Sequence, residues 1–237
     1  MLRKTLVASA LLLATAGVNA ATVTQWNFNS NPPDVSTGTG TILPAIGTGI
    51  ASAIGGVTTT FASGTANGGS SDPAATDNSG WQTTAYPAQS TGNKSSGVQF
   101  AVSTVGFTGV SISYDLRHSN TSSRYEQVQY SLNGATFTDI AGFDGNAGDT
   151  WFKGRSVDLS AIAGVANNAN FAFRVVSAFA PSTGSYAASN SSSGYAGGTW
   201  RFDMVSVSAA PIPEPETYAL MLAGLALVGA VARRRSK

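Results

Sequence analysis

The chain has 237 residues with 27 glycines, no cysteine, one histidine and 11% charged residues. This length fits one or two domains, and the missing cysteines exclude disulfide scaffolds, thiolate nucleophiles and cysteine-ligated metal sites. The formal charge of +1 excludes a strongly basic nucleic-acid-binding protein, so we expect no nucleic-acid partner.

Residues 1–20 contain the three parts of a secretory signal peptide in the required order. Arg3 and Lys4 form a positive segment, an apolar run too short to cross a bilayer follows, and small residues end the segment. We therefore predict export, with signal peptidase cutting between Ala20 and Ala21.

The C-terminus is also organised in three parts. In order, these are Pro213, Glu214 and Pro215, the apolar run Tyr218–Ala232, and the basic cluster Arg233, Arg234 and Arg235. As a helix, the apolar run extends about 22 Å, which is short for a hydrocarbon core of about 30 Å. The arginines place the basic end in the cytoplasm, so the region before the helix lies across the membrane.

This three-part order resembles the PEP-CTERM sorting signal of Gram-negative bacteria. The resemblance covers residues 211–237 and implies processing by exosortase, a membrane-embedded transpeptidase-like protease. It further implies a cell-surface or extracellular-matrix location and a role with exopolysaccharide in biofilms. A plain tail anchor with a proline stalk is the alternative, because physical arguments do not separate the two.

Between these ends, apolar and polar residues alternate in short runs, as they do in β-strands. The apolar set is Val110, Ile112, Tyr114 and Leu116, and its polar partners are Ser111, Ser113, Asp115 and Arg117. Asn133-Gly134 between alternating runs predicts a hairpin, and a change of parity near Met204 predicts a bulge or burial on both faces. Residues 31–97 read as short strands and long loops.

These patterns predict an all-β protein, an antiparallel β-sandwich of jelly-roll type. The signal peptide and a single short C-terminal transmembrane helix flank it, so the predicted parts are 1–20, 21–209 and 210–237. The order of features in 98–208 is similar to secreted carbohydrate-binding or MAM-like jelly rolls. Those features are Asp115-Leu116-Arg117, the Tyr130–Gly134 hairpin, Val157–Ser160 and Trp200–Asp203.

Aromatic side chains in polar, glycine-rich surroundings are candidates for stacking on sugar rings, and packing in the core or anchoring of a loop is the simpler interpretation for any one of them. They are Trp81, Trp151, Tyr186 and Tyr195. The polar strand positions are candidates for lining a groove, or they form an ordinary wet sheet face. They are Ser111, Ser113, Asp115, Arg117, Gln127 and Gln129.

Catalytic chemistry has few candidates. A glycoside hydrolase needs two carboxylates about 5–10 Å apart, and Asp115 with Glu126 is the best pair. His118 is the one histidine available as a base, and a plain surface position is the simpler interpretation. We assign no catalytic residue and expect a protein that is not an enzyme.

Calcium is the one cofactor with candidate ligands, because it prefers carboxylate and amide oxygens. The loop candidates are Asp144, Asn146 and Asp149, and the second set is Asp203 with Asn27 or Asn29. The same residue types also favour turns, so we assign no metal and keep a structural calcium as the candidate.

We therefore expect an exported surface or matrix protein whose sandwich binds extracellular polysaccharide. Its expected partners are signal peptidase, an exosortase-type enzyme, and the membrane through the C-terminal helix before processing. A secreted glycoside hydrolase and a purely structural adhesion protein are the alternatives.

Overall fold

The computed structural model describes residues 20–74, 76–213 and 215–235, with the backbone alone for 215–221. Eleven strands and one helix occur in this part of the chain. The strands are β1 (Ala21–Trp26), β2 (Ile50–Ile54), β3 (Thr58–Ser63), β4 (Ser79–Thr84), β5 (Gly97–Ala101), β6 (Phe107–His118), β7 (Tyr125–Ser131), β8 (Thr138–Asp144), β9 (Thr150–Asp158), β10 (Ala172–Ala178) and β11 (Trp200–Pro211). The helix α1 spans Pro215–Arg235, and a short 3-10 turn spans Ala66–Gly68.

The strands form two antiparallel sheets. Sheet A has the order β3-β4-β11-β6-β9, and β1 also pairs with β11. β4 pairs with the first part of β11 and β1 with its last part. Sheet B has the order β2-β5-β10-β7-β8. The predicted all-β sandwich of jelly-roll type is therefore confirmed.

The core lies between the two sheets, where alternate residues of each strand meet. The four apolar side chains predicted to point inward from β6 are all buried. From sheet B, Phe100 stacks on Phe173 with ring centroids 5.0 Å apart and lies 4.9 Å from Trp26. Burial of this apolar surface supplies most of the driving force for folding.

The hairpin at Asn133-Gly134 is confirmed, but its loop is longer than a two-residue turn. β7 and β8 pair antiparallel and are joined by residues 132–137. The Asn133 side chain accepts backbone hydrogen bonds from Ala135 (2.9 Å) and Thr136 (2.8 Å), and Gly134 adopts φ 72°. The side chain of Asn133 thus organises the loop.

The predicted bulge in the last strand is also confirmed. The pairing of β11 with β6 shifts between Asp203 and Ser206, and Met204 lies between them with φ 47°. The extra residue reverses the parity of the strand, which explains why Phe202 and Val205 are both buried in the core.

Candidate functional site

Trp81 is a core residue, in agreement with the packing interpretation of its ring. It is 2% exposed and lies in β4, stacked on Phe28 at 5.5 Å and edge-on to Phe100 at 6.2 Å. Polar residues surround it in sequence, but β4 lies between β3 and β11 and points this ring inward.

The other three predicted aromatic residues also use their rings for packing. Trp151 is buried, and its indole N–H donates to the Ala66 carbonyl at 2.9 Å. Tyr186 is buried and stacks on Tyr195 with centroids 4.5 Å apart. The Tyr195 hydroxyl donates to the Pro87 carbonyl at 2.7 Å. These rings anchor loops, in agreement with the packing interpretation, and Trp151 and Tyr186 are buried.

Asp115 and Glu126 do not form a hydrolase pair on neighbouring strands. Asp115 is on β6 in sheet A, and Glu126 is on β7 in sheet B. Tyr114 points into the sandwich and bonds to Glu126, so the adjacent Asp115 points to the opposite face of its sheet. Asp115 is buried rather than solvent-facing, and it accepts the backbone N–H groups of Ser71 (2.5 Å) and Gly154 (2.7 Å).

His118 is buried, not a surface histidine. Its Nδ1 lies 2.9 Å from the Ser123 carbonyl, and its Nε2 lies 3.3 Å from Glu126 Oε1. Gly145 seals the ring from outside, since a Cβ at this glycine would lie 2.5 Å from Nε2. This packing leaves no space beside Nε2 for a substrate.

Glu126 is the centre of a polar network between the sheets. Tyr114 Oη donates to Glu126 Oε2 at 2.6 Å, and Arg155 Nε lies 2.8 Å from Oε1. Burial and the neighbouring carboxylate raise the pKa of Tyr114 well above its usual value. The Arg155 guanidinium packs over Phe143 at 4.8 Å and Phe152 at 4.5 Å. The network is therefore a structural link across the sandwich.

The outer face of sheet A, predicted to be wet, is covered at one end by the segment 63–72. Arg201 pairs with Arg117 across β11 and β6, and both are buried. Arg201 Nη1 donates to the Ser63 carbonyl at 2.5 Å, and Arg117 Nη2 donates to Asp149 Oδ1 at 2.5 Å. Burial, and secondly the neighbouring Arg117, lower the pKa of Arg201 to about 10.

The outer face of sheet B carries a row of polar side chains in register, which we call the polar row. Its members, one from each strand in sheet order, are Ser52, Gln99, Arg174, Gln129 and Asp139. None of the five is buried. The predicted groove is therefore divided, because Gln127 and Gln129 belong to this face and the β6 residues to sheet A.

Side-chain contacts hold the polar row in place. Arg174 Nε donates to Gln99 Oε1 at 2.8 Å, and Gln129 Nε2 donates to Asp139 Oδ1 at 2.8 Å. The Arg174 guanidinium lies over the Phe137 ring, 3.5 Å from its centroid, and partial burial lowers the pKa of Arg174. The alternation in β7 and β10 points Gln129 and Arg174 outward, but only the strand order shows that they are neighbours.

A cluster of oxygen atoms lies where β11 meets the segment 64–78, and we call it the oxygen cluster. Its centre is Asp203, which is 0% exposed and accepts hydrogen bonds from Ser70 Oγ (2.6 Å) and Met204 N (2.7 Å). Asn78 Oδ1 is also buried and has no hydrogen-bond partner among the described residues. A Cβ on Gly64 would lie 1.6 Å from Asn78 Oδ1 and 3.0 Å from Asp203 Oδ2, so both oxygens lie close to Gly64.

Burial raises the pKa of Asp203 to about 8, and the carboxylates of Asp72 and Asp115 contribute in the same direction. Asn29, predicted as a partner of Asp203, instead donates to Asp72 Oδ2 at 2.8 Å. The described residues contain no group of three or more acidic or histidine side chains suited to a metal. Any ligand set here would therefore combine one carboxylate with amide, hydroxyl or backbone oxygens, which calcium accepts.

The first predicted calcium loop does not fit a cation. Asp144 accepts two hydrogen bonds from Arg124, at 2.6 Å and 2.7 Å. Asp149 is paired with Arg117 and also accepts from Asn120 at 3.0 Å. Both carboxylates are thus already bound to cationic or N–H groups of the protein.

The C-terminal segment follows the sandwich directly. α1 covers the predicted apolar run and the arginine cluster. Its described apolar side chains are largely exposed; they include Leu222, Leu227, Val228 and Val231. Residues 1–19 of the predicted signal peptide and Glu214 lie outside the described residues. In the part of the chain that the structure describes, no helix is long and apolar enough to span a bilayer.

Comparison with a family model identifies residues 211–236 as a PEP-CTERM protein-sorting motif. The recognition of this motif from the three-part C-terminus is therefore confirmed. Among curated proteins, none matches the chain.

Several solved structures are similar to the chain at low sequence identity. The N-terminal CBM22-1–CBM22-2 tandem domain of a Paenibacillus barcinonensis protein matches with 14% identity and a TM-score of 0.48, over 85% of this chain and 49% of that one. The CBM22-1–GH10 modules of a Clostridium thermocellum endo-1,4-β-D-xylanase match with 13% identity and a TM-score of 0.40, over 66% and 25%. The K2 cleaved adhesin domain of Lys-gingipain matches with 13% identity and a TM-score of 0.37, over 66% and 87%. This chain thus spans about half or less of the first two structures.

Proposed function

We propose that the exported sandwich is a non-catalytic module that binds polysaccharide along the polar row of sheet B. The observation that carries the proposal is the register of five polar side chains across five adjacent strands. Neighbouring strands lie about 4.8 Å apart, so the row is about 19 Å long. An extended sugar chain lying across the strands meets one hydrogen-bonding side chain on each strand that it crosses.

The chemistry of the polar row suits sugar hydroxyls, which both donate and accept hydrogen bonds. Gln99 and Gln129 offer both functions, and Arg174 offers donors at the central strand. Phe137 adds an apolar ring beside Arg174, of the kind that packs on the faces of sugars. The mutual contacts of these side chains fix their positions in advance, which lowers the entropic cost of binding.

Support for a non-catalytic role comes from the two carboxylates that a hydrolase would need. Glu126 is held inside the sandwich by Tyr114, His118 and Arg155. Asp115 is held by backbone N–H groups under the segment 63–72. Neither carboxylate is free to approach a glycosidic bond.

The sorting motif marks the chain as an exported protein. We therefore propose that the chain is cut at both ends. Signal peptidase cuts between Ala20 and Ala21, and β1 begins at Ala21, so the expected new N-terminus is the first residue of the fold. The segment from Pro213 to Arg235 then holds the chain at the membrane until an exosortase-type enzyme removes it. The final location is the cell surface or the extracellular matrix, in a biofilm.

Intact mass spectrometry of the surface and medium fractions tests this processing. In host cells with the exosortase, we expect a product that begins at Ala21 and lacks the Tyr218–Lys237 tail. In a strain without the enzyme, the tail is retained. A tail present in both strains would show that the segment is a permanent anchor.

We also propose that the oxygen cluster holds a structural calcium ion. Asp203 and the unpartnered Asn78 Oδ1 would be its side-chain ligands. A divalent cation there would stabilise the charged carboxylate that burial otherwise disfavours. It would join the segment 64–78 to the last strand and have no part in catalysis.

Affinity gel electrophoresis tests polysaccharide binding with dextran as the neutral probe, alginate as the acidic probe, and exopolysaccharide purified from the host. We expect at least one polysaccharide to retard the protein, and Arg174→Ala to weaken that binding about tenfold. Arg124→Ala is the matched control, since it removes the same charge from a position outside the polar row, where Arg124 pairs with Asp144. Binding unchanged in Arg174→Ala, or absent with all three probes, would overturn the proposal.

A further inference from the structure

Both termini of the sandwich lie at one end of it, which we call the tail end. Ala21 pairs with Ala209 near the close of β11, and Pro211 pairs with Phe107 at the start of β6. The Ile212 N–H then donates to the Gly106 carbonyl at 2.8 Å, so the chain stays attached to the sandwich beyond the last strand.

The connection between the sandwich and α1 is very short. β11 ends at Pro211 and α1 begins at Pro215. At about 3.5 Å per residue, the two cannot be more than about 14 Å apart. Pro213 and Pro215 restrict the backbone and limit folding back. Wherever α1 is held, the tail end must lie close to it.

Four loops of the tail end contain no Asp, Glu, Lys or Arg. They are 102–106, 132–137, 159–171 and 210–213. Three large apolar side chains are exposed among them: Val105 at 54%, Ile212 at 42% and Leu132 at 39%. At the opposite end, the segments after β6 and β8 contain Arg124 and Asp149. These loops therefore differ in side-chain charge from the loops at the opposite end.

We propose that the tail end is a docking surface for the lipid bilayer, and that it rests on the membrane while the sorting segment is held there. This inference rests on the proposed membrane attachment of α1. Uncharged loops can enter the headgroup region without the cost of desolvating a charge, and the exposed Val105, Leu132 and Ile212 gain from partial insertion. The chain's own continuity with α1 selects lipid as the partner.

Docking of the tail end on the membrane would also set the direction of the polar row. β10 leaves the tail end near Ala172, and its pairing with β5 and β7 sets the row across the strands. With the strands pointing away from the membrane, the row runs along the cell surface. A bound polysaccharide chain would then lie parallel to the membrane rather than project from it.

Single-cysteine labelling tests the docking, because the chain has no cysteine of its own. The protein is purified from membranes and reconstituted into phosphatidylethanolamine–phosphatidylglycerol vesicles that contain nitroxide-labelled lipid. A fluorophore is placed in Val105→Cys at the tail end, in Leu227→Cys on α1, and in Ser192→Cys as the exposed control at the opposite end. The melting temperature of each variant confirms that it is folded.

We expect lipid quenching of at least twofold at positions 105 and 227 and none at 192. Quenching at 227 without quenching at 105 overturns the docking and leaves the membrane attachment standing. Quenching at neither position overturns both, and quenching at 105 alone supports docking while the attachment fails. Protection of position 105 only in vesicles that contain the processing enzyme would show that the partner is protein, and it overturns the lipid proposal.

Discussion

The Tyr114 hydroxyl donates a 2.6 Å hydrogen bond to Glu126 Oε2 and so joins sheet A to sheet B inside the sandwich. Both residues are almost completely buried. A buried carboxylate is retained only when charged and hydrogen-bonding groups surround it. Arg155 and His118 complete that environment for Glu126.

Glu126→Ala is expected to lower the free energy of unfolding by about 3–5 kcal/mol, because it leaves Arg155 without its buried partner. Urea denaturation measures the change. Asp144→Ala is the control, since the exposed pair with Arg124 is worth about 1 kcal/mol or less. Wild-type stability together with lost polysaccharide binding in Glu126→Ala would contradict the structural role.

Trp81→Ala is expected to destabilise the sandwich by about 3–5 kcal/mol, because it removes a large ring from the core. Phe137→Ala should change stability by less than about 1 kcal/mol, since the ring is only half-buried. Thermal and urea unfolding compare the two variants. Phe137→Ala should weaken polysaccharide binding, whereas a folded Trp81→Phe protein should bind normally. Weakened binding in Trp81→Phe with normal binding in Phe137→Ala would show that Trp81 is a ligand-binding residue.

The stability of the calcium-free protein should fall as pH rises from about 4 to about 8. In this range the native state keeps a proton on Asp203 that the unfolded chain has already released, so each rise in pH favours unfolding. Calcium should therefore raise the melting temperature more at pH 8 than at pH 5, as measured by calorimetry with calcium and with EDTA.

Asp203→Asn should remove both the pH slope and the calcium effect. Asp144→Asn, at the loop that does not fit a cation, should keep them. A calcium effect that survives in Asp203→Asn would place the ion elsewhere.

Gly64→Ala tests the oxygen cluster without changing a charge. The new methyl group would overlap Asn78 Oδ1, which lies 1.6 Å from its position. We expect the calcium-induced rise in melting temperature to be lost. Gly184→Ala is the matched control, because a Cβ at Gly184 meets no atom within 4 Å. An unchanged calcium response in Gly64→Ala would exclude Asn78 as a ligand.

Some parts of the candidate site could be predicted from local patterns. The alternation in β7 and β10 correctly directs Gln129 and Arg174 outward, since successive side chains of a strand point to opposite faces. The same rule predicted a wet position for Asp115, and this was wrong. The face is right, but Ser71, 44 residues away in sequence, covers it.

The choice between packing and sugar stacking for the aromatic residues also depended on the tertiary structure. Trp81 has polar neighbours in sequence, yet β4 pairs with β3 and β11 and buries its ring. Burial depends on which elements pack against a strand, and the local sequence does not contain that information. The unpaired Asn78 Oδ1 also gives no sequence signal, because it is defined by the approach of Gly64 and Asp203.

The sequence by itself determined the strand alternation, the hairpin at Asn133, the bulge at Met204 and the sorting motif, because each depends on residues close together in the chain. Only the tertiary structure decided which strands are neighbours, which faces are covered and where the chain's ends meet. Ser52, Gln99 and Arg174 become adjacent solely through pairing between distant strands. Such pairing follows from burying both sheets' apolar faces together, a cooperative event that no single segment specifies.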